Sequence, residues 1–532
     1  MSSSCTGDGA FEDELLGPFT SSLCRVFVAE VLPWLSVRDH IALAGVNRAC
    51  RGAMKEVEAV EWLMSREEKW RRADKRANRR AGIAYEACEE AARDGRLEVL
   101  KWVRGRGCEW DKWTCAQAAE GGHLEVLQWA RENGCPWDEA TCALAAMNGH
   151  LEVLKWAREK GCDWNEETFC EAAKGGHLEV LRYMLDNGCL WNKTTCAMAA
   201  KGGHLEVLKW AREHGCDWDA WTCAEAAGGG HMEVLKWARE NGAPWDKDTC
   251  ALAARGGHLE IIKWAREHGC DWNWQTCADA ARYGHLEVLK WLREHGCEWN
   301  EIVPMSAARS GNLEVLKWAR ANGCPWDELT CAWAAHGGHL DLLKWARDNG
   351  CPWDADTCSR AAKFGRLDVL KWAREHGCEW NRGTCLNAAR FGHLEVLKWA
   401  REHGCEWNVH TCTAAAAGGH FEELKWAREN GCEWGKEVCA LAAEGGHLEM
   451  LKWARENGCE WNTATCASAA KNGHLEVLKW ARENGCDWDW RTCVYAAKCG
   501  RPEVFEWAWA NGCLELAMAE VNAQRYRLQP QP

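Results

Sequence analysis

The segment GGHLEVLQWARENGCPWDEATCALAA, residues 121–146, returns along the chain at an unbroken 27-residue step. Its histidine column reads Arg96, His123, His150, His177, His204, His231, His258, His285, Asn312, His339, Arg366, His393, His420, His447, His474, Arg501, sixteen positions without an insertion. Two tryptophan columns run in phase, as at Trp129, Trp156, Trp210 and at Trp137, Trp164, Trp218. Two cysteine columns do the same, as at Cys108, Cys135, Cys162 and at Cys115, Cys142, Cys196. A chain of 532 residues would ordinarily suggest roughly three or four globular domains. Fixed-period repetition overrides that prior, because a repeat array grows by stacking neighbours and not by enlarging one core.

Each unit reads as two short helices. The first is expected to start at a threonine such as Thr114, Thr141 or Thr222, whose hydroxyl caps orphan backbone N–H groups; Thr222 and Glu225 are spaced for a reciprocal capping box. It continues through Cys-Ala-x-Ala-Ala and stops at glycine, as at Gly121 and Gly122. The second helix, His-Leu-Glu-Val-Leu-Lys-Trp-Ala-Arg-Glu in most units, pairs Leu124 with Leu127 and Val126 with Ala130 and ends at Gly134. Neither helix buries its apolar side alone, so adjacent repeats supply the core. The predicted fold is an all-α helix-pair solenoid.

The formal net charge of −14 argues against a general polyanion binder. Residues 1–20 are polar and acidic, without the basic-then-apolar pattern of a secretory signal, and the apolar run from Val26 to Leu35 is too short to cross a bilayer. With no export signal, the 34 cysteines point to a reducing cytosol or nucleus.

From Cys108 through Leu127 the unit resembles an ankyrin repeat, whose cores read Thr-Pro-Leu-His-x-Ala-Ala and Gly-His-Leu-Glu-Val-Val-Lys-Leu-Leu-Leu. Aligned on Gly122-His123-Leu124-Glu125-Val126, Ala118 and Ala119 match the alanine pair. Thr114 stands where Pro is usual, Cys115 where the core Leu is, and Ala116 where the His is. Gly107-Cys108-Glu109-Trp110-Asp111 matches Gly-Ala-Asp-Val-Asn. The resemblance spans residues 85–512, about 16 repeats. Ankyrin repeats run to about 33 residues, and the alignment places the loss between Asp111 and Trp113, where the family's β-hairpin projects. The resemblance therefore implies a solenoid of ankyrin-like helix pairs lacking the hairpin fingers, and a protein-binding role without hairpin-tip contacts.

The 39 tryptophans have two readings. In one they fill the core left by the missing hairpins, each removing about 150–250 Å² from water, worth about 4–6 kcal/mol gross. In the other they are an exposed platform for bases or sugars. For the cysteines, zinc sites want pairs such as C-x₂-C, whereas Cys108 and Cys115 have six residues between them. A small buried hydrophobe fits better, and metal and disulfide readings are weaker. The histidine column suits a turn or helix-start residue bonded to backbone, since Asn312, Arg366 and Arg501 replace it. No catalytic constellation stands apart from the repeats, and Cys5, Cys24, Cys50 and Cys499 have no interpretable His or Asp partner. No enzyme activity, cofactor or metal is expected.

The first helix also carries variable slots, which in ankyrin-like proteins face the concave groove. One slot runs Lys174, Lys201, Gly228, Arg255, Arg282, Arg309, His336, Lys363, Arg390, Ala417, Glu444. The next adds Tyr283, Phe364 and Phe391, and Trp333 lies three residues before His336. Residues 255–391 are thus expected to form a basic stripe interleaved with aromatics. It suits an acidic or phosphorylated protein motif, with nucleic acid less favoured; the plainer reading is solvated Lys and Arg spanning neighbouring acids. One repeat is irregular: Val303-Pro304-Met305-Ser306 places Pro304 in the first helical turn, where it is tolerated.

Residues 1–20 read as a disordered tail. Within 21–55, Leu35, Asp39, Leu43, Val46, Arg48 and Arg51 match in register the second half of an F-box, and Leu23 its start, so the segment resembles that adaptor-binding motif. His40, Cys24, Val26 and Cys50 depart from it. The resemblance implies that Leu23, Leu35, Asp39, Leu43, Val46 and Arg48 contact a Skp-type adaptor; otherwise the segment is a helical cap for the first repeat. Residues 56–84 read as a basic helical linker, strongest over 66–80, and 513–532 as a C-terminal cap and tail. Together these imply a substrate-recognition subunit of a cullin-type ubiquitin ligase, or a stand-alone ankyrin scaffold.

Overall fold

A computed structural model describes residues 82–105 and 107–513. The F-box-like segment, the linker up to residue 81 and the tail from 514 lie outside the described residues. Among the described residues there are 32 α-helices and no strand. The chain divides at Asp271 into two compact units. The described part of the first holds seven helix pairs, from Gly82–Arg93 to Leu259–Glu267; the second holds nine, from Trp274–Tyr283 to Pro502–Ala510. The opening helix starts three residues before the boundary expected at residue 85.

Within each unit the first helices of successive repeats pack directly on one another. The side chains that allow this are small: Cys115, Ala118 and Ala119 are fully buried, and the same columns are buried repeat after repeat. Small side chains let the helix axes approach closely. Leu127, Val126 and Ala130 of the second helix close the core from the other side.

Helix starts differ from expectation. The cap is not the threonine but the Asp or Asn three residues earlier. Asp111 is extended, and its Oδ1 accepts the N–H of Trp113 at 2.9 Å; Asp138, Asp219 and Asn273 act alike. In Thr222-x-x-Glu225 no capping box forms, since Thr222 lies inside the helix Ala220–Gly228. The reciprocal box occurs between Asn165 and Thr168, and between Asn192 and Thr195. The threonines are fully buried three residues past the cap, and in most repeats, Thr330 included, the hydroxyl has no partner. In two repeats the column holds Val303 and Val438. Pro304 lies buried within the helix Ile302–Ser310, whose start is served by Asn300 Oδ1 accepting from Ile302 N at 3.2 Å.

Two glycines per repeat end the helices in the left-handed region. Gly134, at φ 81°, has open space around its missing Cβ, so its backbone angle alone selects glycine. Gly122, at φ 75°, has a second reason: a Cβ there would lie 2.6 Å from the imidazole of His150 in the next repeat.

The tryptophans border the core and do not fill it, as where Trp488 and Trp507 pack against the buried Cys493, Ala508 and Cys513. Both columns are half-buried, and Trp210 alone among the described tryptophans is buried, at 7% exposure. They form a relay across the second-helix layer. The Arg104 guanidinium lies 4.1 Å from the Trp110 ring, and Trp110 meets Trp129 edge-on at 5.7 Å. Arg131 then covers Trp137, which meets Trp156 at 5.9 Å. Second helices pack only weakly on each other, so this Arg–Trp–Trp chain ties one to the next. Edge-on pairs contribute about 0.5–1.5 kcal/mol and exposed cation–π contacts about 0.5–1 kcal/mol. Repeated from one interface to the next, such increments add along the array.

The cysteines are buried hydrophobes, all but Cys499 among the described residues. Cys135 Sγ donates to the Asp111 carbonyl at 3.3 Å and Cys162 Sγ to the Asp138 carbonyl at 3.2 Å, tying each repeat to the capping residue before it. Burial pushes the Cys88 and Cys223 thiols up to about 12, which keeps them protonated and poorly nucleophilic.

An unpartnered buried hydroxyl opposes folding, whereas a capping carboxylate supports it. Thr330→Val is therefore expected to leave the denaturation midpoint unchanged or raise it, and Asp327→Ala to lower stability by about 1 kcal/mol. A marked loss in the valine variant would contradict this account of the threonine column.

Candidate partner-binding face

The variable slot lies at the C-terminal ends of the first helices, where cations complement the helix dipole. In the second unit the structure brings most of the expected residues together. Arg309 ends the helix Ile302–Ser310 and lies 4.5 Å from the Trp333 ring, on the helix Glu328–Gly337. From the next repeat, Arg360 approaches the same ring at 4.6 Å. Trp333 meets His336 at a tilt of 45° and 4.7 Å, and His336 meets Phe364 at 48° and 3.9 Å. Lys363 stands 5.4 Å from Phe364 and 5.0 Å from Phe391, which Arg390 approaches at 5.9 Å. Arg282 stands 5.8 Å from Tyr283 at the far end. Phe391 and Tyr283 are 40% and 41% exposed. Arg309 through Arg390 form a ladder of alternating cations and rings, and the Arg282–Tyr283 pair lies one repeat before it. Arg255, in the same slot, is exposed at the end of the helix Lys247–Gly256 in the first unit.

Charge pairing separates this ladder from three other lysines of the slot. Lys174 pairs with Glu171 at 3.2 Å, Lys201 with Glu225 at 3.1 Å and Lys471 with Glu444 at 3.6 Å. There the plain reading of cations spanning neighbouring acids holds. Between residues 282 and 391, no described carboxylate lies within the 4.0 Å ion-pair distance of Arg282, Arg309, Lys363 or Arg390. Of the ladder's cations Arg360 is held by a carboxylate, Asp356 at 2.6 Å. Arg360 escaped the sequence reading although it stands one 27-residue step after Trp333, in the same column.

The histidine column holds the ladder's backbone. These side chains do not cap their own helices. Instead His393 Nε2 donates to the Lys363 carbonyl at 3.0 Å, His339 Nε2 to that of Arg309 at 3.3 Å, and Asn312 Nδ2 to that of Arg282 at 2.8 Å. Asn312 also reaches the Ala281 carbonyl at 2.9 Å, which explains why asparagine serves in this column. Arg366 fills the same place by laying its chain over Gly338.

Among the described residues no group of three or more His, Cys, Asp or Glu side chains is placed to hold a metal ion. No described helix is long and apolar enough to cross a membrane.

The fold and this face define a helical-repeat solenoid with a side-chain ladder along its first helices. A family profile described as ankyrin repeats (3 copies) matches residues 142–222, and one described as ankyrin repeats (many copies) matches 115–158, 277–320 and 358–401. Over those stretches the chain matches ankyrin repeats, a repeat class that implies protein–protein interaction. No curated protein matches the sequence. Among solved structures, the human ASB11 ankyrin repeat domain is similar at 21% identity, covering 30% of this chain and 84% of that one with a TM-score of 0.25. The pentatricopeptide repeat protein PPR10 from maize is similar at 14% identity over 98% of both chains, with a TM-score of 0.26.

Burial holds the His393 and His204 rings below the usual histidine pKa, as it does His447. The unfolded chain takes up these protons near pH 6.5 while the folded chain resists them, so stability present above about pH 6.5 declines as the pH falls through that value toward 5. Denaturation midpoints at pH 7 and pH 5 should show this decline. His393→Asn, which copies the solution found at Asn312, should reduce it; an unchanged pH dependence would contradict a half-buried, neutral role for this ring.

Proposed function

We propose that the chain is a protein receptor whose second unit holds an acidic partner segment on the ladder and the Arg282–Tyr283 pair before it. The observation that carries this reading is the contrast in pairing. Lys174, Lys201 and Lys471 in the same slot are each neutralised by a neighbouring glutamate, whereas Arg282, Arg309, Lys363 and Arg390 have no described carboxylate within ion-pair distance and stand beside aromatic rings. Surface cations left without local counter-charge are suited to meet that charge on a partner. Aromatic rings held beside them supply rigid apolar area, as at the energetic centres of interfaces.

A finer reading rests on the sequence of residues 21–55. The in-register match at Leu35, Asp39, Leu43, Val46, Arg48 and Arg51 supports docking of a Skp-type adaptor. The solenoid would then present substrates to a cullin-type ubiquitin ligase, in the cytosol or nucleus.

Two experiments test these readings separately. Affinity capture with the full chain, quantified against a variant carrying Arg282→Glu, Arg309→Glu and Arg390→Glu, should lose its partners at unchanged helicity. Reversal of the self-paired Lys174 and Lys201 should retain them, and equal capture by both variants would refute the ladder as the binding face. Co-expression of the full chain with a Skp-type adaptor should yield a stoichiometric complex that Leu35→Asp and Val46→Asp abolish. No complex with the intact chain would leave a stand-alone ankyrin scaffold.

A further inference from the structure

The ladder is not uniform along its length. Its cations are densest where three successive first helices contribute Arg309, then Trp333 and His336, then Arg360 and Lys363. Arg309 and Arg360 both approach the Trp333 ring, at 4.5 and 4.6 Å, and His336 bridges from that ring to Phe364. Lys363 stands over Phe364 from the same helix end. We infer that this point receives a phosphorylated side chain of the partner segment, bound by Arg309, Arg360 and Lys363 around His336. The inference rests on the proposed reading of the ladder as a partner-binding face.

Charge is the first argument. Arg309, Arg360 and Lys363 bring three positive charges and Asp356 one negative charge, leaving two positive charges at the cluster. Arg366 adds further positive potential from its place over Gly338. A phosphoryl group carries about −1.5 to −2 charges at neutral pH and three acceptor oxygens, which matches that surplus; one carboxylate leaves half of it uncompensated. The His336 ring reports the same field. It is pushed below the usual histidine range by burial first, and then by Arg309, Arg360, Lys363 and Arg366.

Preorganisation is the second argument. A guanidinium resting on a ring has already surrendered much of its rotamer freedom, so less is lost when it binds an anion. Arg360 is further oriented by its 2.6 Å contact with Asp356. The Arg309 and Lys363 helix ends are pinned by the histidines of the following repeat. Arginine forks fixed in this way suit the bidentate geometry of phosphate oxygens.

A nucleic acid fits less well. A long polyanion needs a continuous basic track, whereas Lys174, Lys201 and Lys471 in this slot are self-neutralised and the whole chain carries −14. The cluster is a point and not a track.

The test uses the full chain and degenerate short peptides with a fixed central phosphoserine, serine or glutamate, alongside a short single-stranded RNA, read by fluorescence anisotropy. The phosphoserine library is expected to bind at least about tenfold tighter than the other two, the effect of one added charge-assisted hydrogen bond. Arg309→Gln with Lys363→Gln should reduce it to the level of the serine library. Lys174→Gln should change nothing, and circular dichroism and the denaturation midpoint serve as the check on folding. Equal binding of glutamate and phosphoserine peptides would overturn the phosphate inference while leaving the acidic-segment reading intact. Preferential RNA binding would overturn both. Phosphopeptide binding that survives the double variant would overturn the placement, and binding of no peptide would overturn the phosphate inference while the capture experiment still judges the ladder itself.

Discussion

The packing of the described repeats depends on the close approach of one repeat's first helix to the next. An isolated pair of helices of about nine residues is too short to persist in water, and neither helix can bury its apolar side alone. The approach is possible because Ala118, Ala119 and Cys115, and their counterparts, present almost no side-chain bulk. It is locked by polar ties across each interface. The imidazole Nε2 of one repeat reaches the last carbonyls of the preceding first helix, as from His150 to Glu120 at 3.0 Å, and the cysteine thiol reaches the carbonyl of the preceding cap. Glycine is required where the imidazole lies flat against the turn, so the Gly-His pair is one device.

The same constraint leaves the second helices farther apart, and there the tryptophans act. Arg–Trp–Trp relays span the gap that a shortened repeat would otherwise leave to solvent. Ring faces covered by guanidinium and ring edges meeting ring faces keep large apolar groups half-buried without a partner chain. This arrangement accounts for the abundance of tryptophan without treating it as a ligand platform. It also leaves the opposite, first-helix surface as the place where repeats differ.

The architecture was readable because the 27-residue step is unbroken: column identity alone reveals which positions are packed. The roles of several columns were not. Threonine and the preceding Asp or Asn are both good capping residues, and only the helix start decides between them. Tryptophan columns read as core because burial and half-burial leave the same periodic mark. The thiol-to-carbonyl ties run between residues 24 apart, a separation the repeat length alone does not announce. In and beside the ladder, Arg282, Arg309, Lys363 and Arg390 stood out against the acidic composition, but Arg360 belongs to another column and joins only when successive helices are placed side by side. Whether a cation is neutralised by a neighbour, as Lys174 is and Lys363 is not, depends on side-chain reach across the interface.

The central claim is that the ladder is where this protein holds its partner. A photo-crosslinking amino acid installed in vivo at Phe391, and separately at Lys174, tests that claim most directly. The account predicts a discrete covalent adduct from position 391 that disappears when Arg309 and Arg390 are reversed to Glu, and none from position 174. Adducts from position 174 with none from 391 would contradict it and move the binding face off the ladder.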